Sequence, residues 1–421
     1  MKNKTKIAIV AVFAVLFSGF AFSQTVFKVV PVPGSSPNSL IAINNGGRVL
    51  VNSSTGQVST WNRINGTQVL GLSANNTVGA AINSSGDVVG EGDPNNSGNL
   101  QAFVWQPTGG AQWLGSLGGN LSAAKGINNS LAVVGLSYTA ANTQHAFLWT
   151  QGGGMQDLTP DLTSNGGGTA MAINSSNQVA GYYVPNGSSQ TLGFLWTQSG
   201  SLQSLGPAGT LAYAVNDSGT VVGQSPDASG NRHAFSWTQA GGIQYLGTLG
   251  GGQSSALGIN SRGWIVGTSL TSSGTGILHG FLWTPSGGMQ DFSVLAGLKQ
   301  PAYSVQVNDF GVIAISTGRG GYLLVPKMAT TFTSSANPSV AGQPVTFTAS
   351  MTSIAGPPPD GETVQFLVSG KVYGSAALHG GVAQFTTSAI PVGSHTVVAK
   401  YLGDANYLPA KYTAIMQVVN P

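Results

Sequence analysis

Apolar residues along this chain come in short β-branched and aromatic runs bounded by Gly, Asn and Ser, and no segment after residue 24 carries a helical apolar period. The pattern predicts strands throughout. One phrase recurs seven times: Ala-Ile-Asn at Asn44, Asn83 and Asn174, Gly-Ile-Asn at Asn128 and Asn260, Ala-Val-Asn at Asn216 and Gln-Val-Asn at Asn308. The spacings run from 39 to 48 residues. A second phrase keeps step, ending at Trp61, Trp105, Trp149, Trp196, Trp237 and Trp283, with Gly-Tyr-Leu-Leu at 321–324 in the last repeat. A third follows each tryptophan after a glycine-bearing turn, as in Gly-Gly-Met-Gln-Asp-Leu at 153–158.

Each unit therefore reads as four short strands. The first ends at the Asn, and the second, typically Val-Val-Gly, follows across an Asn-x-x-Gly turn. Asn bonds its own backbone and tolerates the left-handed conformation, and Gly adopts it without a steric penalty, so this is a hairpin signal with a mechanism. Four strands in 40 to 48 residues are the dimensions of a β-propeller blade. Small residues precede the Asn (Ala124, Gly126, Ala170, Ala172, Ala212, Ala214), as an innermost strand crowded around an axis requires. Phe and Trp two apart on the third strand suit the wider space farther out. The seventh unit supplies three strands and then the sequence changes character. An orphan strand at Val26–Val32 precedes the first Asn phrase, and it is the expected fourth strand of the last blade, closing the ring.

The N-terminus adds an export signal. Lys2, Lys4 and Lys6 precede the apolar run Ile7–Phe17, and Ala21-Phe22-Ser23 before Gln24 is a small-x-small cleavage pattern. Residues 1–23 read as a signal peptide, with no membrane span after its removal. Its lysines also account for the charge imbalance: of 15 basic and 12 acidic groups, removing those three leaves 12 of each. A neutral chain offers no electrostatic case for nucleic acid or anionic lipid. With no Cys, disulfides, thiolate-bound metals and an N-terminal lipid anchor are excluded.

After residue 326 the composition shifts. Alternating strands every 8 to 12 residues and a Pro-rich connection at Gly356–Gly361 predict a β-sandwich over 329–421. The reading is all-β: a seven-bladed β-propeller over 24–326 followed by an immunoglobulin-like sandwich.

The phrases His-Ala-Phe-Leu-Trp at 145–149, Gly-Gly-Met-Gln-Asp-Leu at 153–158 and Tyr245–Asn260 resemble the HAF family of bacterial extracellular repeats, although Gln101 and Leu192 stand where the motif has His. The resemblance covers 24–326 and implies secretion and a propeller-like fold, with no agreed activity. Val364-Gln365-Phe366, Gly393–Thr396 and Tyr401–Tyr407 resemble the bacterial immunoglobulin-like repeat of cell-surface proteins, which implies a spacer or adhesive unit.

Chemistry-bearing residues are sparse. His145 and His279 each have an Asp twelve residues on, Asp157 and Asp291, while His233 has Tyr245. Across a hairpin turn the His and Asp would face each other. Recurrence in separate blades makes these pairs structural, because equivalent residues of rotated blades do not converge on one ion. Glu91, Asp93, Asp161 and Asp227 lie outside the repeat phrases, and a glycosidase or lyase would need two of them 5 to 10 Å apart. The loops at 92–99 and 225–231 hold one carboxylate apiece, short of a calcium loop. Tyr138, Tyr182, Tyr183 and Tyr213 are the candidate binding residues, since aromatic faces among amides suit sugars. The expected protein is a secreted or surface-displayed, non-enzymatic binding scaffold using no cofactor and no metal, with an extracellular glycan or surface protein as partner. A carbohydrate-active enzyme using Glu91 and a structural envelope component without a ligand are the alternatives.

Overall fold

The structure, a computed structural model, describes residues 25–37, 39–163, 166–199, 202–272 and 276–421. The expected signal peptide at 1–23 lies outside the described residues. Every Asn phrase opens a four-stranded antiparallel meander. The Asn44 sheet, for example, runs Leu40–Ile43, Val49–Asn52, Val58–Asn62 and Gly66–Val69 in that order. The Asn308 sheet takes Ala302–Val307, Ile313–Thr317 and Gly320–Pro326 from its own repeat. Its fourth strand is Phe27–Pro31 from the other end of the chain, paired antiparallel with Phe27 opposite Pro326 and Pro31 opposite Tyr322.

Seven apolar clusters fill the seams between consecutive sheets. In one of them Phe147 and Trp149 pack on Val89, Ala102 and Val104 of the preceding sheet; in the next, Phe194 and Trp196 pack on Val134, Ala146 and Leu148. The recurring Phe and Trp therefore wedge adjacent sheets apart on their outer half. Phe27 does this work in the seam before the Asn308 sheet, buried against Val266, Leu282 and Leu324.

The asparagines close the series. Each accepts, through its own Oδ1, the backbone N–H four residues on, as Asn83 does from Asp87 and Asn308 from Val312. Each also donates from Nδ2 to the backbone carbonyl of the next Asn. The chain of donors runs Asn44, Asn83, Asn128, Asn174, Asn216, Asn260, Asn308 and back to Asn44, at 2.8 to 3.2 Å. All seven are buried. A turn alone would accept Asp or Ser, but neither can accept from its own turn and donate a fixed amide N–H to a neighbour.

The glycine ending Val-Val-Gly has a separate cause. In these repeats the inner strand bulges three residues before the Asn, between Ala124 and Gly126 or between Ala212 and Ala214. The bulge drives a carbonyl over the facing residue. A Cβ at Gly90, Gly135, Gly181, Gly223 or Gly267 would sit 1.9 to 2.2 Å from that oxygen.

One helix departs from the all-strand expectation. Phe292–Leu295 forms a single turn in the connection into the Asn308 sheet, with Asp291 accepting from Ser293 N–H at its N-cap. Four residues show no apolar period for a sequence to reveal.

The C-terminal region is a sandwich. One sheet holds Ala329–Ser334, Val345–Thr352 and Val382–Thr387; the other is built on Thr363–Val368, Gly393–Tyr401 and Ile415–Asn420. Phe347, Phe366, Tyr401 and Tyr412 fill the space between them. This module is seated on the repeat region. Phe310 packs into the sandwich cluster, while Leu408 and Ala355 pack into clusters between the sheets.

Candidate functional site

In a meander the first-to-second and third-to-fourth turns share one end, and the remaining connections share the other. At the turn end a cavity of ≈ 200 Å³ lies on the axis, lined by Asn44, Asn83, Asn128 and Asn174 with Ser175 and Asp217. Its polar groups are already engaged with one another. Beyond the asparagine circuit, Ser84 N–H donates to Asn129 Oδ1, Ser175 N–H to Asp217 Oδ1 and Ser261 N–H to Asp309 Oδ1, at 2.7 to 2.9 Å. The sandwich module sits at this same end, over the Asn260, Asn308 and Asn44 sheets.

The opposite end carries the longer loops, and Tyr138, Tyr182 and Tyr183 lie toward it late in their second strands, whereas Tyr213 stands mid-strand three residues before Asn216; the strands do not bring the four into one cluster. Tyr183 turns its ring to Phe194, 6.2 Å between centroids, and packs against the cluster holding Val134 and Leu148. It is a packing residue. Tyr138 is half-buried, its hydroxyl 3.5 Å from Gln144 Oε1, and Gln144 in turn donates to Thr169 Oγ1 of the next sheet. Burial pushes the Tyr213 phenol up to about 12, with Tyr182 adding to the rise and Arg232 opposing it. Tyr213 stands in the inner-strand bulge, the position held by Lys125 two sheets earlier.

Lys125 was not among the residues singled out in the sequence. Its ammonium lies 3.7 Å from Glu91 Oε1 of the preceding sheet, and both side chains are partly buried. The glutamate on which a glycosidase would depend is thus held in an ion pair. Two of the other loop carboxylates are bound to their own loops. Asp93 accepts from the amides of Ser97 and Gly98, and Asp227 from those of Ser229 and Asn231. Desolvation works to raise both, but these amides outweigh it, with His233 contributing at Asp227, and hold the carboxyls below their ordinary values. Asp161 is exposed, and its carbonyl accepts from Asn186 Nδ2.

Two histidines take the partners their spacing implies. His145 Nδ1 and His279 Nδ1 each lie 2.7 Å from the Oδ2 of Asp157 and Asp291. His233 instead reaches back to Asp227 Oδ2 at 3.1 Å and meets Tyr245 edge-on, because Tyr245 offers no carboxylate and spends its hydroxyl on Pro226 O. In each case the aspartate also caps backbone N–H groups of its own loop, at Thr159, Ser293 or Ser229. These are loop anchors.

Comparison with known proteins agrees with this architecture. Residues 332–420 match the family model of a bacterial Ig-like domain (group 3). No curated protein matches the chain by sequence. Among solved structures it is similar to a streptogramin B lyase, at 13% identity and TM-score 0.50, covering 72% of this chain and 100% of that one. It is also similar to a gluconolactonase from Xanthomonas campestris, at 10% identity and TM-score 0.39, covering 71% and 89%. The extracellular domain assigned to a hybrid two component system of B. thetaiotaomicron matches at 11% identity and TM-score 0.39, covering 95% and 58%. At 13% identity the likeness to the streptogramin B lyase is one of fold. The protein is all-β, with a propeller-like repeat region and a C-terminal bacterial Ig-like domain. Among the described residues no helix is long and apolar enough to cross a membrane.

Proposed function

We infer that this is an exported, non-enzymatic binding scaffold: a seven-bladed propeller of HAF-type repeats over 24–326 that presents its loop end to an extracellular glycan or envelope component, with the module at 329–421 seated behind it. The observation that carries the reading is the division of labour between the two ends. The turn end is consumed by the asparagine circuit and covered in part by the module, which leaves the loop end, with the half-buried Tyr138 and Tyr182 near it and Tyr213 deeper on its strand, for a partner. The way the titratable groups are used supports a non-enzymatic role. Glu91 is paired with Lys125, and Asp93 and Asp227 are held by amides of their own loops, so three of the four loop carboxylates are engaged, whereas a glycosidase or lyase needs a pair.

The test is an array of glycans and matrix proteins probed with the exported protein. Saturable binding is expected, weakened about tenfold or more by combined Tyr182→Ala and Tyr213→Ala, as for truncated aromatic anchors. Tyr183→Ala should instead lower stability and spare affinity. Turnover of an oligosaccharide, lost in Glu91→Gln, would replace this reading with the enzyme. No binding and no turnover would leave a structural envelope component.

A further inference from the structure

The two sheets that come from opposite ends of the repeat region, those of Asn44 and Asn308, meet at one seam, and the immunoglobulin-like module lies across it. Asn406, itself buried, accepts from Asn308 Nδ2 at 2.7 Å and donates to Asn45 O at 2.9 Å, so one side chain touches both sheets. Arg63 of the Asn44 sheet donates to the carbonyls of Asp404, Ala405 and Tyr407, the last at 2.6 Å. On the far side Arg262 donates to Ala355 O. Phe310 meets Tyr407 edge-on at 6.0 Å. Fit is close enough that a Cβ at Gly47 or Gly311 would come within 3 Å of Ala405 or Ala355.

Asn406 also fills a place in the circuit. A side-chain amide has two N–H groups, and the carbonyl of the next Asn takes one. In three of the other six repeats a ring residue takes the second: Asp87 for Asn83, Gln178 for Asn174, Asn177 for Asn128. At Asn308 the residue four positions on is Val312, which has no acceptor. Asn406 supplies it from the module, and without it a buried N–H would be left unpaired.

We propose that the immunoglobulin-like module is the clasp of the ring, its loop Leu402–Tyr407 locking the seam where the first and last sheets meet. The loop is prepared for this: Asp404 Oδ1 accepts from the amides of Asn406 and Tyr407 at 2.7 to 2.8 Å and so sets the turn that projects Asn406. The proposal stands whether or not the loop end binds anything.

Amide hydrogen exchange on the full chain tests it, comparing wild type with Asn406→Ala and Arg63→Gln. The expected result is exchange faster by about tenfold or more in Leu40–Ile43, Ala302–Val307 and Phe27–Pro31, as for a local opening. Gly167–Ile173, across the ring, and Thr363–Val368, inside the module, should keep wild-type protection. Arg63 lies outside the module, so Arg63→Gln decides the question if Asn406→Ala fails to fold. Wild-type protection at the seam while only 402–408 exchanges faster would make the module a tethered spacer and overturn the proposal. A uniform loss of protection through every sheet would overturn it equally.

Discussion

At the residue scale, one backbone oxygen explains a glycine that recurs five times. The carbonyl displaced by the inner-strand bulge lies 2.0 Å from where a Cβ at Gly135 would be, and backbone on both sides cannot withdraw. Gly152, in a turn, has open space around it. Gly135→Ala is therefore expected to cost about 3 kcal/mol or more, whereas Gly152→Ala should stay within about 0.5 kcal/mol. Denaturant unfolding of the two variants checks this, and equal midpoints would mean the bulge is not as described. The asparagines teach a related lesson. Their role in the turn was legible, since Asn before x-x-Gly is a turn signal. Their second role was not, because the acceptor is the carbonyl of another repeat about forty residues away and no local pattern encodes it. The trace it leaves is that Asp and Ser never replace Asn in seven repeats.

At the scale of elements, strands were the most legible feature, because period-two runs between Asn-Gly turns have few other solutions. The pairing of Phe27–Pro31 with Gly320–Pro326 was legible by counting, as one unit lacked a strand and one strand lacked a unit. What the chain concealed was contact between elements. Tyr182 and Tyr183 are neighbours in sequence, yet a strand turns them to opposite faces, and only Tyr183 packs with Phe194. The loop after Tyr401 hides a comparable arrangement. Desolvation, then the nearby Asp404, raises the Glu362 carboxyl above its ordinary value, with the Tyr401 hydroxyl opposing. A carboxyl raised on folding binds its proton more tightly in the folded state, so its contribution to stability is fully present at low pH and is lost as pH rises from the ordinary glutamate value through the raised one. In that window the melting temperature of wild type should decline more steeply with pH than that of Glu362→Gln. Parallel profiles would remove the carboxyl from the account.

At the scale of the whole molecule, the charge-poor composition and the architecture belong together. With few ionic groups to organise it, the repeat region is held by apolar seams and by one continuous circuit of amide hydrogen bonds, and the circuit is complete only if the last sheet reaches the first. A module joined at the end of the chain then lies across that junction. The absence of cysteine makes closure directly measurable, because any pair of introduced thiols reports on itself alone. Pro31 and Tyr322 face each other in the register that joins the N-terminal strand to the last repeat. In the double variant Pro31→Cys, Tyr322→Cys, mild oxidation should give a disulfide within the monomer in nearly every molecule. Free thiols, or disulfides between molecules, would contradict the closed ring.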